Sequence, residues 1–148
     1  MSPMMQTTLN KTVSYEGIGL HAGLPVHMTL RAAEANTGIH FIRTDLPGSP
    51  AIPANLSYVT NTMRATTLEK GEAKVFTVEH LLSALQGLHI DNCIVEMDSV
   101  EPPVADGSSA DFVTMIRKAG IRELNAKREV YRVKKQHLVQ EEDKFIAI

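Results

Sequence analysis

The chain has 148 residues, of which 43% are hydrophobic and 22% charged, and a formal net charge of −2. That length suits one domain, or one domain and part of another, with enough apolar residues to bury a core. The near-neutral balance argues against a nucleic-acid partner, and no basic run suggests attachment to a membrane surface.

No apolar run approaches the roughly 20 residues of a membrane span. Met1–Gln6 also lacks the charged-then-apolar plan of a signal peptide, so a cytoplasmic protein with no membrane span is expected. The single Cys93 has no partner for an internal disulfide and reads as a small buried hydrophobe beside Ile94 and Val95.

The first ninety residues are short alternating runs broken by Gly, Pro and Asn, the pattern of antiparallel strands and hairpins. Leu9, Val13 and Tyr15 alternate with polar residues. Gly17-Ile18-Gly19-Leu20-His21-Ala22-Gly23 follows, with glycines that permit a tight turn. Val26, Met28, Leu30 and Ala32 define a half-buried strand with His27 on its solvent side, and residues 38–44 define another with His40 on its polar side. Residues Met63 to Leu68 and Ala73 to Phe76 flank a turn signal at 69–72 and predict a hairpin.

The next stretch is Thr77-Val78-Glu79-His80. Val78, Leu81, Leu82, Leu85 and Leu88 recur at helical spacing, with Glu79, His80, Ser83, Gln86 and Gly87 on the opposite face. Thr77 is a suitable N-cap type, which would put Glu79 and His80 in the first turn. There the macrodipole favours an ionised Glu79 and a neutral His80, as a general base and an imidazole metal ligand require. After Gly87, residues 92–97 read as a short buried strand and 98–107 as a loop. Ser108 to Asp111 resembles a capping box for a second helix, with Phe112, Val113, Ile116 and Ala119 in period and Gly120 as the stop. Residues 125–128 read as a linker. Residues 130–135, 138–140 and 144–148 read as strand segments, with a turn at 141–143. The apolar run at the chain's end has no helix to cover it, so a fragment cut just inside a second domain is expected.

None of the six histidines stands at the spacing of a two-ligand helix, and no nucleophile elbow, phosphate loop or dinucleotide fingerprint is present. Taken singly, Glu79-His80 reads first as a solvated helix face, His21 as an ordinary loop histidine, and Asp106-Gly107-Ser108 as an ordinary turn, ahead of any functional role.

Taken in order, these stretches resemble one family. Gly17 to Gly23, Arg43-Thr44-Asp45, Asn61-Thr62-Met63, Thr77 to Leu85, Ile90-Asp91-Asn92 and Glu101 to Ser108 are similar, in order and spacing, to the UDP-3-O-acyl-N-acetylglucosamine deacetylases of lipid A synthesis. The resemblance covers residues 6–148. It implies an α+β fold: a layered sandwich of a mainly antiparallel sheet with two helices, ribosomal protein S5 domain 2-like. That domain would occupy residues 1–126, with 127–148 a linker and the first strands of a second, similar domain.

The resemblance further implies that Glu79 is the general base and His80 a ligand of Zn2+. His21 and Asp106 would support the active site, and Met63 would line the substrate passage. Where some members carry a Cys two residues after that Met, this chain has Ala65. The expected substrate is UDP-3-O-acyl-N-acetylglucosamine. The remaining zinc ligands and the general acid are expected from a missing C-terminal domain, leaving this chain inactive alone. The alternative is a non-catalytic binding or assembly module that retains the fold.

Overall fold

A computed structural model describes residues 4–148. The part of the N-terminal signal-peptide reading that falls on Met1–Pro3 lies outside the described residues. Strands β1 (Met5–Leu9), β2 (Val13–Ile18), β3 (Pro25–Ala32), β4 (Ile39–Arg43) and β5 (Ala51–Pro53) come first. A 3-10 turn at Leu56–Tyr58 precedes β6 (Val59–Asn61), β7 (Thr67–Lys70) and β8 (Ala73–Phe76). Helix α1 (Glu79–Gly87), β9 (Cys93–Met97), helix α2 (Ala110–Ala119), β10 (Ile121–Lys127), β11 (Leu138–Glu141) and β12 (Lys144–Ala147) complete the chain.

The main sheet runs β2-β3-β9-β4-β5. Its pairings are antiparallel except for β4 with β9, which are parallel, so the sheet is mixed. Its register gathers one apolar face: Met28 stands opposite Met97, Leu30 opposite Val95, and Phe41 opposite both Val95 and Ile52. All six side chains are buried, and with them Leu81 and Leu85 of α1 and Phe112 and Ile116 of α2, which pack as one core. Burial of each such side chain contributes about 1.5–3 kcal/mol before ordering costs. The observed class is therefore α+β, a mostly antiparallel sheet covered by two helices, as expected.

Both helices lie where the 3.6-residue period puts them. Helix α2 ends on Gly120 with φ 75°, a left-handed stop that closes hydrogen bonds to Ile116 and Arg117 carbonyls. The caps differ from expectation. Thr77 does not cap α1: the N-cap position is Val78, and Thr77 stands one residue earlier with φ 57°. Its backbone is left-handed, and among the described residues its buried hydroxyl bonds none of the helix N–H groups. In α2 the cap residue Ser109 likewise makes no side-chain capping bond, and the Ala110 N–H donates instead to Ser108 Oγ (3.0 Å).

The 69–72 turn joins β7 to β8 as expected, while Met63–Thr66 is not strand. Residues 125–127 are not linker: they end β10, which pairs with β1 as far as Met5 with Lys127. Residues 130–135 form no strand, and β11 and β12 pair only with each other, all of their residues exposed. His27 is exposed as expected. His40 is half-buried rather than a surface residue, and its Nδ1 is buried without a hydrogen-bond partner. Cys93 is buried, and desolvation pushes its thiol up to about 12, which makes it inert.

Candidate active site

Glu79 is the first residue of α1, at the junction between the β7–β8 hairpin and the helix. Both it and His80 are half-buried. One carboxylate oxygen of Glu79, Oε2, accepts the Thr66 backbone N–H at 3.1 Å. Among the described residues nothing donates to its Oε1, which leaves that oxygen open to take a proton. The His80 carbonyl accepts hydroxyls from Ser83 (2.8 Å) and Ser109 (3.0 Å), and those two hydroxyls are 2.6 Å apart. The first turns of the two helices are thus fastened together beneath the pair, and no protein group among the described residues bonds the His80 imidazole.

His21 and Met63 meet in one cavity of about 250 Å³, lined also by Arg64, Ala65, Thr67, Lys74 and Phe76. His21 is exposed, and its ring lies 6.5 Å from that of Phe76 at a 44° tilt. Met63 is 82% exposed, so its side chain is apolar surface rather than core. Thr66, which donates to Glu79, directly follows the cavity residue Ala65. Glu79 is therefore tied to the cavity wall through one backbone bond.

Asp106 does not line that cavity. It is exposed, and its Oδ1 accepts the Ser108 N–H (2.9 Å) and hydroxyl (2.8 Å), which hold its carboxyl below the ordinary 3.8. The turn reading of Asp106-Gly107-Ser108 accounts for these bonds. Asp106 reaches the Glu79-His80 region only through its neighbours, by way of Ser108 and Ser109.

A catalytic zinc takes three protein ligands and an open position. His80 is one nitrogen donor, and among the described residues no group of three His, Cys, Asp or Glu side chains could hold a metal ion. The described residues do not by themselves complete a zinc site.

Sequence reasoning did not single out Glu101. It is fully buried, with a relative exposure of 0%, and its carboxylate accepts backbone N–H groups of His21 and Ala22. Its sequence context gives little away: it opens the Glu101 to Ser108 stretch in a loop with Pro102 and Pro103, where an acid is ordinarily solvated.

Residues 6–148 match the model of the family described as UDP-3-O-acyl N-acetylglycosamine deacetylase. The UDP-3-O-acyl-N-acetylglucosamine deacetylase of Coxiella burnetii (strain Dugway 5J108-111) is 45% identical over 143 residues, covering 97% of this chain and 47% of its own. Proteins of the same name from Chromohalobacter salexigens and Legionella pneumophila (strain Corby) are each 48% identical over 94% and 95% of this chain. The chain spans about half the length of the curated relatives it matches.

Proposed function

The chain belongs to the UDP-3-O-acyl N-acetylglycosamine deacetylase family, and from that premise we propose that it carries one half of an amide-hydrolysing active site. The proposed substrate is UDP-3-O-acyl-N-acetylglucosamine, as the relatives' names have it, and the reaction releases acetate and leaves a free amine on the sugar. The observation that carries this reading is the placement of Glu79-His80 at the start of α1, fastened through Thr66 to the cavity of His21 and Met63.

In this reading Glu79 is the general base. Its Oε2 is held by the Thr66 N–H, and its Oε1 takes a proton from the attacking water. The half-buried position strengthens that proton transfer by limiting competing solvent. His80 would offer one nitrogen to zinc, the site being incomplete in this chain. His21 and Met63 would face the substrate from the cavity, and Asp106 would brace the α2 turn against α1. The rest of the protein would supply the further metal donors and the general acid.

The proposed fold of residues 1–126 is ribosomal protein S5 domain 2-like, with 127–148 leading into a second, similar unit. The working compartment is the cytoplasm. Among the described residues no helix is long and apolar enough to cross a membrane, which agrees with a nucleotide-sugar enzyme.

Substituting Glu79→Gln in the full-length protein tests the reading. The change keeps the shape and removes the base, so deacetylation is expected to fall by about 100-fold or more with folding intact. A variant as active as its parent would leave only a binding or assembly module.

A further inference from the structure

Glu101 is the buried acid that the proposed chemistry leaves unused. Taking a carboxylate out of water costs several kcal/mol unless donors replace the lost hydration. Here the donors are main-chain groups of a distant loop: Ala22 N–H to Oε2 at 2.8 Å, and His21 N–H shared between Oε2 at 2.9 Å and Oε1 at 3.2 Å. Consecutive N–H groups converging on one anion form a backbone nest. The nest closes on itself through Gly19 N–H to the Leu24 carbonyl (2.9 Å) and Gly23 N–H to the Gly19 carbonyl (3.1 Å).

The room for this arrangement comes from glycine. A Cβ on Gly19 would stand 2.6 Å from Glu101 Oε2, so only a residue without a side chain lets the loop wrap the carboxylate. Past Glu101, Pro103 bridges to Gly19 and the Val104 N–H donates to the Ile18 carbonyl (2.9 Å). On the other side, the Val100 carbonyl accepts the Phe76 N–H at 3.1 Å. Phe76 is the last residue of β8, immediately before Thr77-Val78-Glu79-His80. Two adjacent residues, Val100 and Glu101, therefore grip the two separate stretches that carry the candidate site.

We propose that Glu101 is a positioning residue: its carboxylate fixes the His21 loop against the end of β8, and so sets the spacing of His21 from Glu79 and His80. This rests on the deacetylase reading above. The His21 ring makes no hydrogen bond among the described residues, so its backbone anchor is what orients it.

The test is made in the full-length protein. In Glu101→Gln an amide oxygen in the Oε2 position keeps the two short bonds, but the amide nitrogen then meets the His21 N–H at the Oε1 position, donor against donor, and the buried charge that the nest holds is lost, while size and shape are kept. The turnover number is expected to fall about 10- to 100-fold per folded molecule with KM within about twofold, the behaviour of a mispositioned group. Gly19→Ala, which pushes on the same carboxylate without changing charge, is expected to give the same split. A folded Glu101→Gln with unchanged turnover, or a loss fully explained by a smaller folded fraction, overturns the proposal. Hydrogen exchange of the unsubstituted protein covers variants that fail to fold. The His21 and Ala22 amides should exchange more slowly than that of Leu20, and equal rates would overturn the anchor. Glu79→Gln separates the two ideas: if it abolishes turnover and Glu101→Gln does not, the anchor fails alone. If Glu79→Gln is itself harmless, the deacetylase reading fails, and the exchange rates alone decide the anchor.

Discussion

Thr77 is the residue whose conformation costs most. It is β-branched with φ 57°, and its Oγ1 is buried without a hydrogen-bond partner. A left-handed backbone costs roughly 1–2 kcal/mol for such a residue, and an unpartnered buried hydroxyl about 1–3 kcal/mol more. Both penalties fall two residues before Glu79. Strain kept at such a junction is intelligible if the turn aims the helix start. Thr77→Gly relieves both penalties and forfeits one buried methyl and some unfolded-state entropy, together about 1.5–2 kcal/mol. The expected outcome in urea denaturation is stability equal to the parent or up to about 3 kcal/mol higher, although a buried side chain is removed. Val78→Gly, which removes a core side chain from an unstrained residue, should cost several kcal/mol by the same measurement, about 3 or more. Equal losses in the two variants would show that the Thr77 turn stores nothing.

Among the elements, the hairpin that delivers α1 is bolted to the main sheet by one side chain. Arg43, at the end of β4, donates two hydrogen bonds to Asp45 (2.9 and 2.7 Å) and one to the Lys74 carbonyl of β8 (2.6 Å). The Arg43 guanidinium holds the Asp45 carboxyl below its ordinary 3.8. A carboxyl lowered in the folded state contributes stability that is complete above the ordinary value and is lost as pH falls through the lowered one. Comparing parent and Asp45→Asn across pH should show the parent ahead at neutral pH and the two converging in acid, once pH has fallen through the lowered titration of Asp45 and its side chain is uncharged too. A gap that persists in acid would place the effect elsewhere than in the charge. At this scale much was legible from sequence. Helices α1 and α2 each hold one period, α2 as far as its Gly120 stop, and β3 alternates cleanly. The β1–β10 ribbon was not legible, because β1 buries the polar Gln6 and Thr8 beside Leu9, and β10 buries Leu124 alone. Thr8 is buried because its hydroxyl donates to the Asn92 carbonyl and accepts the Ala33 N–H, and Gln6 because Asn36 and Asn92 bond it. Alternation read from apolar residues cannot find such strands. In the candidate site, the place of Glu79 and His80 at the start of α1 could be read from the helical period. Glu101 could not, because its partners are main-chain N–H groups eighty residues earlier, on which sequence leaves no mark.

The whole molecule divides by burial at Arg128. Up to that point the chain is fastened: the Arg128 N–H donates to the Met4 carbonyl (2.8 Å), and its guanidinium makes two bonds to Asp91 (both 2.8 Å) and one to the His89 carbonyl. Beyond it every residue is exposed, including Tyr131 at 84% and Ile146 at 77%, and β11 and β12 form a ribbon paired only internally. An isolated two-stranded ribbon is marginal in water, so its apolar side chains call for a covering surface; in the reading proposed above, the second unit provides it. Proteolysis locates this division directly. Cleavage needs an exposed segment that can open locally, and residues 129–137 have neither burial nor strand pairing to resist it. Trypsin acting briefly on this chain should cut first after Arg132, Lys134 or Lys135. Mass spectrometry should then find a resistant piece that retains β10 and Arg128. The tight turn at Lys70 and the loop at Arg64 supply competing sites, but both sit against the packed β6-β7-β8 sheet. First cleavage at either of those, with 129–137 intact, would mean that the ribbon is held against the core after all. Protection of 129–137 only when the rest of the protein is attached would place the covering surface there.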